Sequence, residues 1–387
     1  MSTEADPLIH WEQLRQADWL AAAMESTLDD FRLQTELRKT YPADLVILAL
    51  QLREGRRKLA DKFTRADDMW LTRLGAEQST AETVARHKAQ RFAGCHEVWD
   101  LCCGIGGDSI ALAEHVPAVQ AVDRSAVNCL WTRWNAGVYG VGDRIRTQSV
   151  DVTTLSLADK WVHIDPDRRA GTNRAMRLEQ YEPALEFLQG LTTQARGGAI
   201  KLSPASNFGG KFPDCEVELI SLSGECKEAT VWFGDRRSDE PWRATLLPSG
   251  ATLTGDPFLA RGEVQPLGQF LYDPDPAVVR AGLIDVLAES SGLGRLDPAE
   301  EYLTSESLID TPFARPFEVL ANVPHNDRDL RRLLSDESIG ELEIKCRHVP
   351  VDVNAFRKRL KLQGTQKRVL FIARLEGKTR YVLAKRH

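Results

Sequence analysis

The stretch 98–109, "VWDLCCGIGGDS", carries an apolar run into a carboxylate and then turns on glycines. Glycine lets a backbone approach a ligand with no Cβ in the way. The carboxyl end of a first parallel strand is also where open α/β sheets bind ligands. Two ligand classes use such a loop. A dinucleotide requires Gly-x-Gly-x-x-Gly with a phosphate on the helix N-terminus. Counting from Gly104, the third glycine is replaced by Ser109, and the first helical residue is Asp108, whose charge opposes a pyrophosphate. The order Asp100-x-x-x-Gly104-x-Gly106 suits instead a cation that bears an amino acid and a sulfonium, as S-adenosylmethionine does. Asp123 ends a second strand, where a carboxylate accepts both ribose hydroxyls. Asp151 ends a third, placed to accept the adenine amino group.

A fourth strand leads into "HIDPDRRAG" (163–171), the place where a methyl-transfer enzyme presents its acceptor. Asp165 is placed to accept a hydrogen bond from an amino-group nucleophile, and Pro166 fixes the carbonyl geometry beside it. Asp167 is either a base or a partner for Arg168. These three are the catalytic candidates. The positions that would hold a flat aromatic ring hold Asp167 and Arg168, followed by Arg169. Arginine reads phosphate and carboxylate through paired donors, and its plane stacks on bases. Arg168 and Arg169 are therefore the acceptor-binding candidates, for an anionic group such as an RNA phosphate beside the target base. The competing expectation is a surface pair with Asp167 or Glu179. Trp70 and Phe208 are rings that another loop would have to bring in.

These residues need a frame. Residues 1–91 carry helical patterns. "HWEQLRQADWLAAAMES" (10–26) spaces Trp11, Leu14, Trp19 and Leu20 on one stripe. Residues 42–63 open on Pro42, a favoured first-turn residue, and place Leu45, Leu48, Leu52 and Leu59 inside. Ser79-Thr80 followed by Glu82 reads as a capping box for a helix over 79–92. From about 95 to 250, short apolar strands alternate with helical stretches, the signature of a parallel sheet with right-handed crossovers. A helix is expected over 178–195 and a strand over 197–204. Hairpins around Ser223-Gly224 and Pro248-Ser249-Gly250 follow and close the sheet. "YDPDPA" marks the passage to a last unit, whose end reads strand, helix, strand, strand, with a hairpin at Glu376-Gly377-Lys378.

The run "VARHKAQRF…VWDLCCGIGGDSIALA…VQAVDRS…NAGVYGVGDRI", with His87 in its lead-in helix, is similar to the class I methyltransferase domain of trimethylguanosine synthase across roughly 76–170. The whole chain resembles a bacterial class of S-adenosylmethionine-dependent methyltransferases in which a helical region comes first and a THUMP-like domain last. "KFTRADDMWLTRLGAEQST" (62–80) and the DPDRR stretch carry that likeness. It implies that Asp100, Gly104, Gly106, Asp123 and Asp151 bind the donor, with Asp165 at the methyl end and 77–80 folded over the cofactor as a partial lid. Cys102, Asp108, Arg124 and Val152 on the same loops count with them as cofactor-binding candidates. The acceptor is not implied: the cap-modifying enzyme stacks guanine on a Pro-Pro-Trp indole, and this chain has Pro166-Asp167-Arg168.

The expected architecture is α/β: a helical region (1–91), a seven-stranded Rossmann-like methyltransferase sheet (92–260) and a THUMP-like α/β unit (261–387). Seven cysteines without a Cys-x-x-Cys pair suggest free thiols in a reducing cytosol and no metal. The longest strongly apolar run, Leu45 to Leu50, is far below the ~20 residues of a membrane span. The start "MSTEAD" lacks the basic-then-apolar order of a secretion signal. Net charge is −6, yet residues 320–387 hold 16 Lys+Arg against 8 Asp+Glu. Arg357, Lys358, Arg359, Lys361, Lys367, Arg368 and Arg374 fall between Val353 and Leu375 in a stretch without acids, with Phe356, Leu360 and Leu362 as its apolar face. Such a face binds phosphates without reading sequence, or docks on the acidic remainder. The sequence thus points to a cytoplasmic methyltransferase acting on an amino or ring nitrogen of structured RNA. Two readings compete: methylation of an anionic small molecule or protein, and a non-catalytic module that binds S-adenosylmethionine and RNA. Nothing in the sequence fixes the oligomeric state.

Overall fold

The computed structural model describes residues 7–168, 177–347, 351–360 and 362–387, with Arg168 described in its backbone alone. The chain divides into two compact units, Met1–Cys215 with Thr230–Arg237, and Glu216–Ala229 with Ser238–His387.

Helices α1 (Pro7–Gln16), α2 (Leu20–Glu25), α3 (Asp30–Leu37), α4 (Ala43–Leu59), α5 (Arg73–Gln78) and α6 (Glu82–Gln90) open the first unit. The helix expected over 10–26 is cut into α1 and α2, although Trp11, Leu14, Trp19 and Leu20 are all buried as their spacing requires. In α4 the buried stripe is Val46, Ala49, Leu52 and Leu59, while Leu45 and Leu48 lie half-buried beside it. The rotation has a cause in Gly55, which shares that stripe: a Cβ there would meet the Thr72 carbonyl carbon at 2.9 Å. The capping box does not form. Ala81 precedes α6 without a side-chain cap, because Thr80 and Glu82 both serve tertiary contacts. Glu82 takes the Thr64 N–H at 2.6 Å.

The sheet region follows as β1 (Glu97–Leu101), α7 (Gly107–His115), β2 (Ala118–Asp123), α8 (Ala126–Val138), β3 (Ile145–Ser149) and β4 (Trp161–Ile164). Two-residue strands β5 (Asp167–Arg168) and β6 (Tyr181–Glu182) pair antiparallel. Then come α9 (Leu185–Gln194), β7 (Gly197–Leu202), β8 (Glu216–Leu222), β9 (Glu225–Gly234), β10 (Trp242–Leu247) and β11 (Ala251–Gly255). The helix expected from 178 starts only at Leu185, since the chain first makes a 3₁₀ turn at Leu178–Gln180 and then pairs as β6. The strand order is β11-β10-β8-β9-β7-β4-β1-β2-β3. Its last seven members are the expected methyltransferase sheet. The hairpin β10–β11 adds two more strands, with β10 parallel to β8. Ser223 and Gly224, at φ 53 and 83, make the turn from β8 to β9.

Parallel register brings the functional side chains together. Leu101 lies abreast of Val122 and Ile164, Ile164 abreast of Ile200, and Asp123 abreast of Ser149. The carboxyl ends of β1, β2, β3, β4 and β7 therefore share one edge, and Asp100, Asp123, Asp165 and Lys201 stand on or beside it.

The second unit continues with β12 (Phe270–Pro274), α10 (Pro276–Arg280), α11 (Ile284–Ser291), β13 (Gly294–Arg295), β14 (Leu303–Ser305), β15 (Ala314–Pro324), α12 (Asp327–Asp336), β16 (Ile339–Cys346), α13 (Val353–Arg359), β17 (Gln366–Leu375) and β18 (Lys378–Arg386). Its sheet order is β13-β14-β12-β15-β18-β17-β16. Strand alternation sends Val369, Phe371 and Ala373 to one face, against Tyr302 and Phe317. Leu370 and Ile372 go to the other, against Leu330 and Leu334 of α12 and Phe356 of α13. Among the described residues no helix is long and apolar enough to cross a membrane.

Candidate active site

Asp100 is 1% exposed. The β1–β4 register sets it beside His163, whose Nδ1 lies 2.7 Å from its Oδ1. The Ser109 hydroxyl donates to its other oxygen. On the far side of the imidazole, Nε2 stands 3.2 Å from Lys88 Nζ. An ammonium only donates, so Nε2 accepts and the ring proton on Nδ1 goes to Asp100; the tautomer follows from these partners. Lys88, 1% exposed on α6, also pairs with Asp108 Oδ1 at 3.0 Å. Thr80 donates to Asp108 Oδ2 at 2.8 Å. Burial alone would raise the Asp108 pKa; the ammonium groups, Lys88 first and then Lys201, overcome it and hold the carboxyl well below the ordinary carboxylate range. Asp108 is thus a structural anion at the start of α7.

The loop between them is shaped by left-handed residues. Gly106, at φ 86, is the residue before α7, and a Cβ on it would come 2.9 Å from Thr132 Cγ2. The Thr132 hydroxyl accordingly reaches the Gly104 carbonyl at 3.1 Å. Asn135 Nδ2 donates to the Ile105 carbonyl at 2.9 Å and the Trp70 carbonyl at 3.0 Å, tying the loop to the helical region. Asp123 accepts from the Gly104 N–H at 3.0 Å and the Ser125 N–H at 2.8 Å. Its burial outweighs these bonds and raises its pKa. Cys102 sits amid this ring of acids. Burial first, then the charges of Asp123, Asp165, Asp100 and Asp167, push its thiol well above the ordinary value. The field that keeps that thiol neutral also attracts a cation.

At the acceptor edge, Asp165 Oδ2 pairs with Lys201 Nζ of β7 at 2.5 Å. Burial outweighs Lys201, and the carboxyl sits above its ordinary range. Pro166 is buried and Asp167 exposed. Asp167 accepts from Gln78 Nε2 at 3.0 Å. The expected partner Arg168 is described in backbone only, and Arg169 lies outside the described residues. Glu179 pairs with Lys211. No ring comes from the two candidate aromatics: Trp70 packs edge-on against Trp11 and Trp134, and Phe208 is 3% exposed.

The remaining candidates lie on the neighbouring loops. Asp151 Oδ1 caps the turn at Val152–Thr154, accepting from Thr153 N–H at 2.9 Å, and these bonds lower its pKa. Val152 is buried. Arg124 is exposed and pairs with Glu182 at 2.7 Å. In the second unit Arg357, Lys358 and Arg359 of α13 are exposed over buried Phe356 and Leu360, and Leu362 is half-buried. Lys361 lies outside the described residues.

The chain resembles known proteins in sequence and fold. Residues 95–188 match the family described as RNA cap guanine-N2 methyltransferase, and residues 314–386 match the THUMP-like domain. An uncharacterized S-adenosylmethionine-dependent methyltransferase of Mycobacterium tuberculosis is 36% identical over 312 residues, 79% of this chain and 85% of the relative. The chain belongs to the S-adenosylmethionine-dependent methyltransferases. A solved candidate methyltransferase from Porphyromonas gingivalis W83 shares the fold over 98% of this chain and 99% of its own, with a TM-score of 0.81 at 19% identity. Rat glycine N-methyltransferase is 32% identical over 111 residues, 27% of this chain and 34% of that enzyme.

The methyltransferase's cofactor is S-adenosylmethionine, and the acid-lined cradle fits a cationic ligand. Sequence reasoning missed Lys88, His163 and Lys201, and it placed Gln78 only within the 77–80 segment expected over the cofactor, not against Asp167. The first three left a trace: Lys88 shares a helical stripe with Val84 and Ala85, while His163 and Lys201 interrupt apolar strands. A cation among core positions marks a buried partner.

Lys88→Met leaves Asp108 buried without its ammonium, a loss of about 3–5 kcal/mol in stability. Asp108 has a depressed folded pKa, so the contribution is complete above the unfolded value near about 3.9 and disappears as pH falls through the folded one. Urea unfolding should show the largest gap between variant and wild type at neutral pH, narrowing in acid. Equal midpoints at pH 7 would refute the pairing.

Proposed function

We propose that this methyltransferase modifies a base nitrogen of structured RNA. The reading is carried by the match to the RNA cap guanine-N2 methyltransferase family over residues 95–188, a range that includes the glycine loop and Asp165-Pro166-Asp167. It is supported by the basic face of α13 within the THUMP-like match. The missing stacking ring argues against the cap itself, because base stacking is worth about 1–3 kcal/mol.

On this reading Asp123 holds the donor through its remaining acceptor capacity toward the ribose, Gly104 and Gly106 give close backbone approach, and buried Asp100 fixes the loop from beneath through His163 and Ser109. Cys102, Asp108, Asp151, Val152 and Arg124 shape the same pocket, Asp108 and Arg124 through their ion pairs. S-adenosylmethionine supplies a methyl group already activated by a sulfonium. The chain's own task is then chiefly to hold the acceptor in line, an effect that supplies about 7–11 kcal/mol. As the nitrogen bonds the methyl and the methyl–sulfur bond breaks, Asp165, as carboxylate, accepts a hydrogen bond from the amino group and then the proton that the nitrogen loses, while Pro166 sets the backbone beside it. Arg168 and Arg169 hold the adjacent phosphate.

Incubation with labelled S-adenosylmethionine and separate RNA, protein and metabolite fractions tests the reading. Label in RNA that is abolished by nuclease is expected; label confined to protein or metabolites would replace it with the anionic-acceptor reading.

The ionisation of Asp165 gives a second test. Its pKa is raised, so it is charged only above that value, and the rate should fall as pH drops through it, earlier than for an ordinary carboxylate. Lys201 opposes the rise. Lys201→Met should therefore move the acid limb of kcat/KM to higher pH; an unmoved limb would remove Asp165 from the reaction.

A further inference from the structure

The acceptor loop is held by a residue from outside the methyltransferase sheet. Gln78 is the last residue of α5, and both of its polar ends face the Asp165-Pro166-Asp167 turn. Its side-chain Nε2 donates to Asp167 Oδ1 at 3.0 Å. Its carbonyl accepts from Lys201 Nζ at 3.4 Å, and the same ammonium pairs with Asp165 at 2.5 Å. One residue thus brackets both acids on either side of Pro166.

The segment that carries Gln78 is itself fixed. The Lys62 ammonium binds the carbonyls of Ala76 at 2.7 Å, Glu77 at 3.2 Å and Ser79 at 2.9 Å. These are the carbonyls that a helix leaves open at its C-terminus, where a cation is also favoured by the dipole. Two residues further on, Thr80 donates to Asp108, behind the donor loop. Gly75 adds a contact, since a Cβ there would overlap Ile105 Cγ2 at 2.7 Å. The stretch 75–80 therefore touches the glycine loop and the start of α7 at its two ends, through Gly75 and Thr80, and the acceptor turn between them, through Gln78.

We propose that Gln78 is a positioning residue for methyl acceptance: with Lys201 it sets the Asp165-Pro166-Asp167 turn, and strut 75–80 ties that turn to the donor loop. The inference rests on Asp165 being the acceptor-side group, but not on the acceptor being RNA. It also gives the polar turn a function in the absence of a ring: the turn is braced by hydrogen bonds from α5.

The experiment compares wild type, Gln78→Ala, Asp167→Ala and the double variant. Donor affinity is measured by calorimetry with S-adenosylmethionine. Turnover and half-saturation are measured with bulk bacterial RNA, or with whichever fraction the wild type labels. Gln78→Ala should lower kcat/KM for the acceptor about tenfold, the scale of one hydrogen bond to a charged group. Donor affinity and melting temperature should stay at wild-type values. The double variant should lose no more than either single one, since both delete one bond. Gln78→Glu, which turns the donor into a repelling charge, should be worse than alanine. Equal acceptor kinetics in wild type and Gln78→Ala, additive losses, or a parallel loss of donor affinity would each overturn the proposal. Amide exchange of the peptide 161–168 gives a readout without turnover: faster exchange in Gln78→Ala supports the bracket, and unchanged exchange refutes it. Absence of label in RNA, with label elsewhere, counts against the RNA reading alone.

Discussion

Two carboxylates, Asp100 and Asp108, are buried against one ammonium, Lys88, with the His163 ring between them. That excess of negative charge is the constraint on which the site depends. A buried carboxylate is stable only when paired or hydrogen-bonded, and each of these has found a donor from a different element: Ser109 from α7, His163 from β4, Lys88 from α6 and Thr80 from the segment before it. Satisfying the acids therefore fastens the lead-in helices to the sheet. It also leaves the glycine loop facing a negative field, suited to a sulfonium and hostile to a pyrophosphate.

The same logic extends to the acceptor edge. Lys201 compensates Asp165 as Lys88 compensates Asp108, but burial dominates at Asp165 and keeps its pKa high, whereas the charges dominate at Asp108 and keep it low. Two acids, one at the start of α7 and one just past β4, thus acquire different chemistry from their surroundings, one a fixed anion and the other a group whose pKa is raised.

The shape of the glycine loop was legible in sequence because its requirements are local: glycines at left-handed turns and an apolar strand before them. The strand-helix alternation was legible for the same reason, as was the Glu376-Gly377 hairpin. What escaped depends on register and tertiary contact. Nothing local says that His163 lies abreast of Asp100, or that Lys201 stands two strands from Asp100 and beside Asp165. The false capping box at 79–82 shows the converse. Ser79 and Glu82 have the right spacing for a capping box, yet Thr64 claims Glu82 and Asp108 claims the neighbouring Thr80. In α4 Leu52 and Leu59 lie on the buried stripe as expected, while Leu45 and Leu48 fall one residue short of Val46 and Ala49, a rotation that suits the close approach at Gly55. The β10–β11 extension shows that a hairpin pattern does not reveal which sheet edge it joins.

The most direct measurement is calorimetric titration of wild type and Asp123→Ala with S-adenosylmethionine, with melting temperatures recorded beside it. A carboxylate-lined donor pocket predicts clear binding by the wild type and at least about tenfold weaker binding by the variant, both still folded. Equal affinity in the two proteins would contradict it.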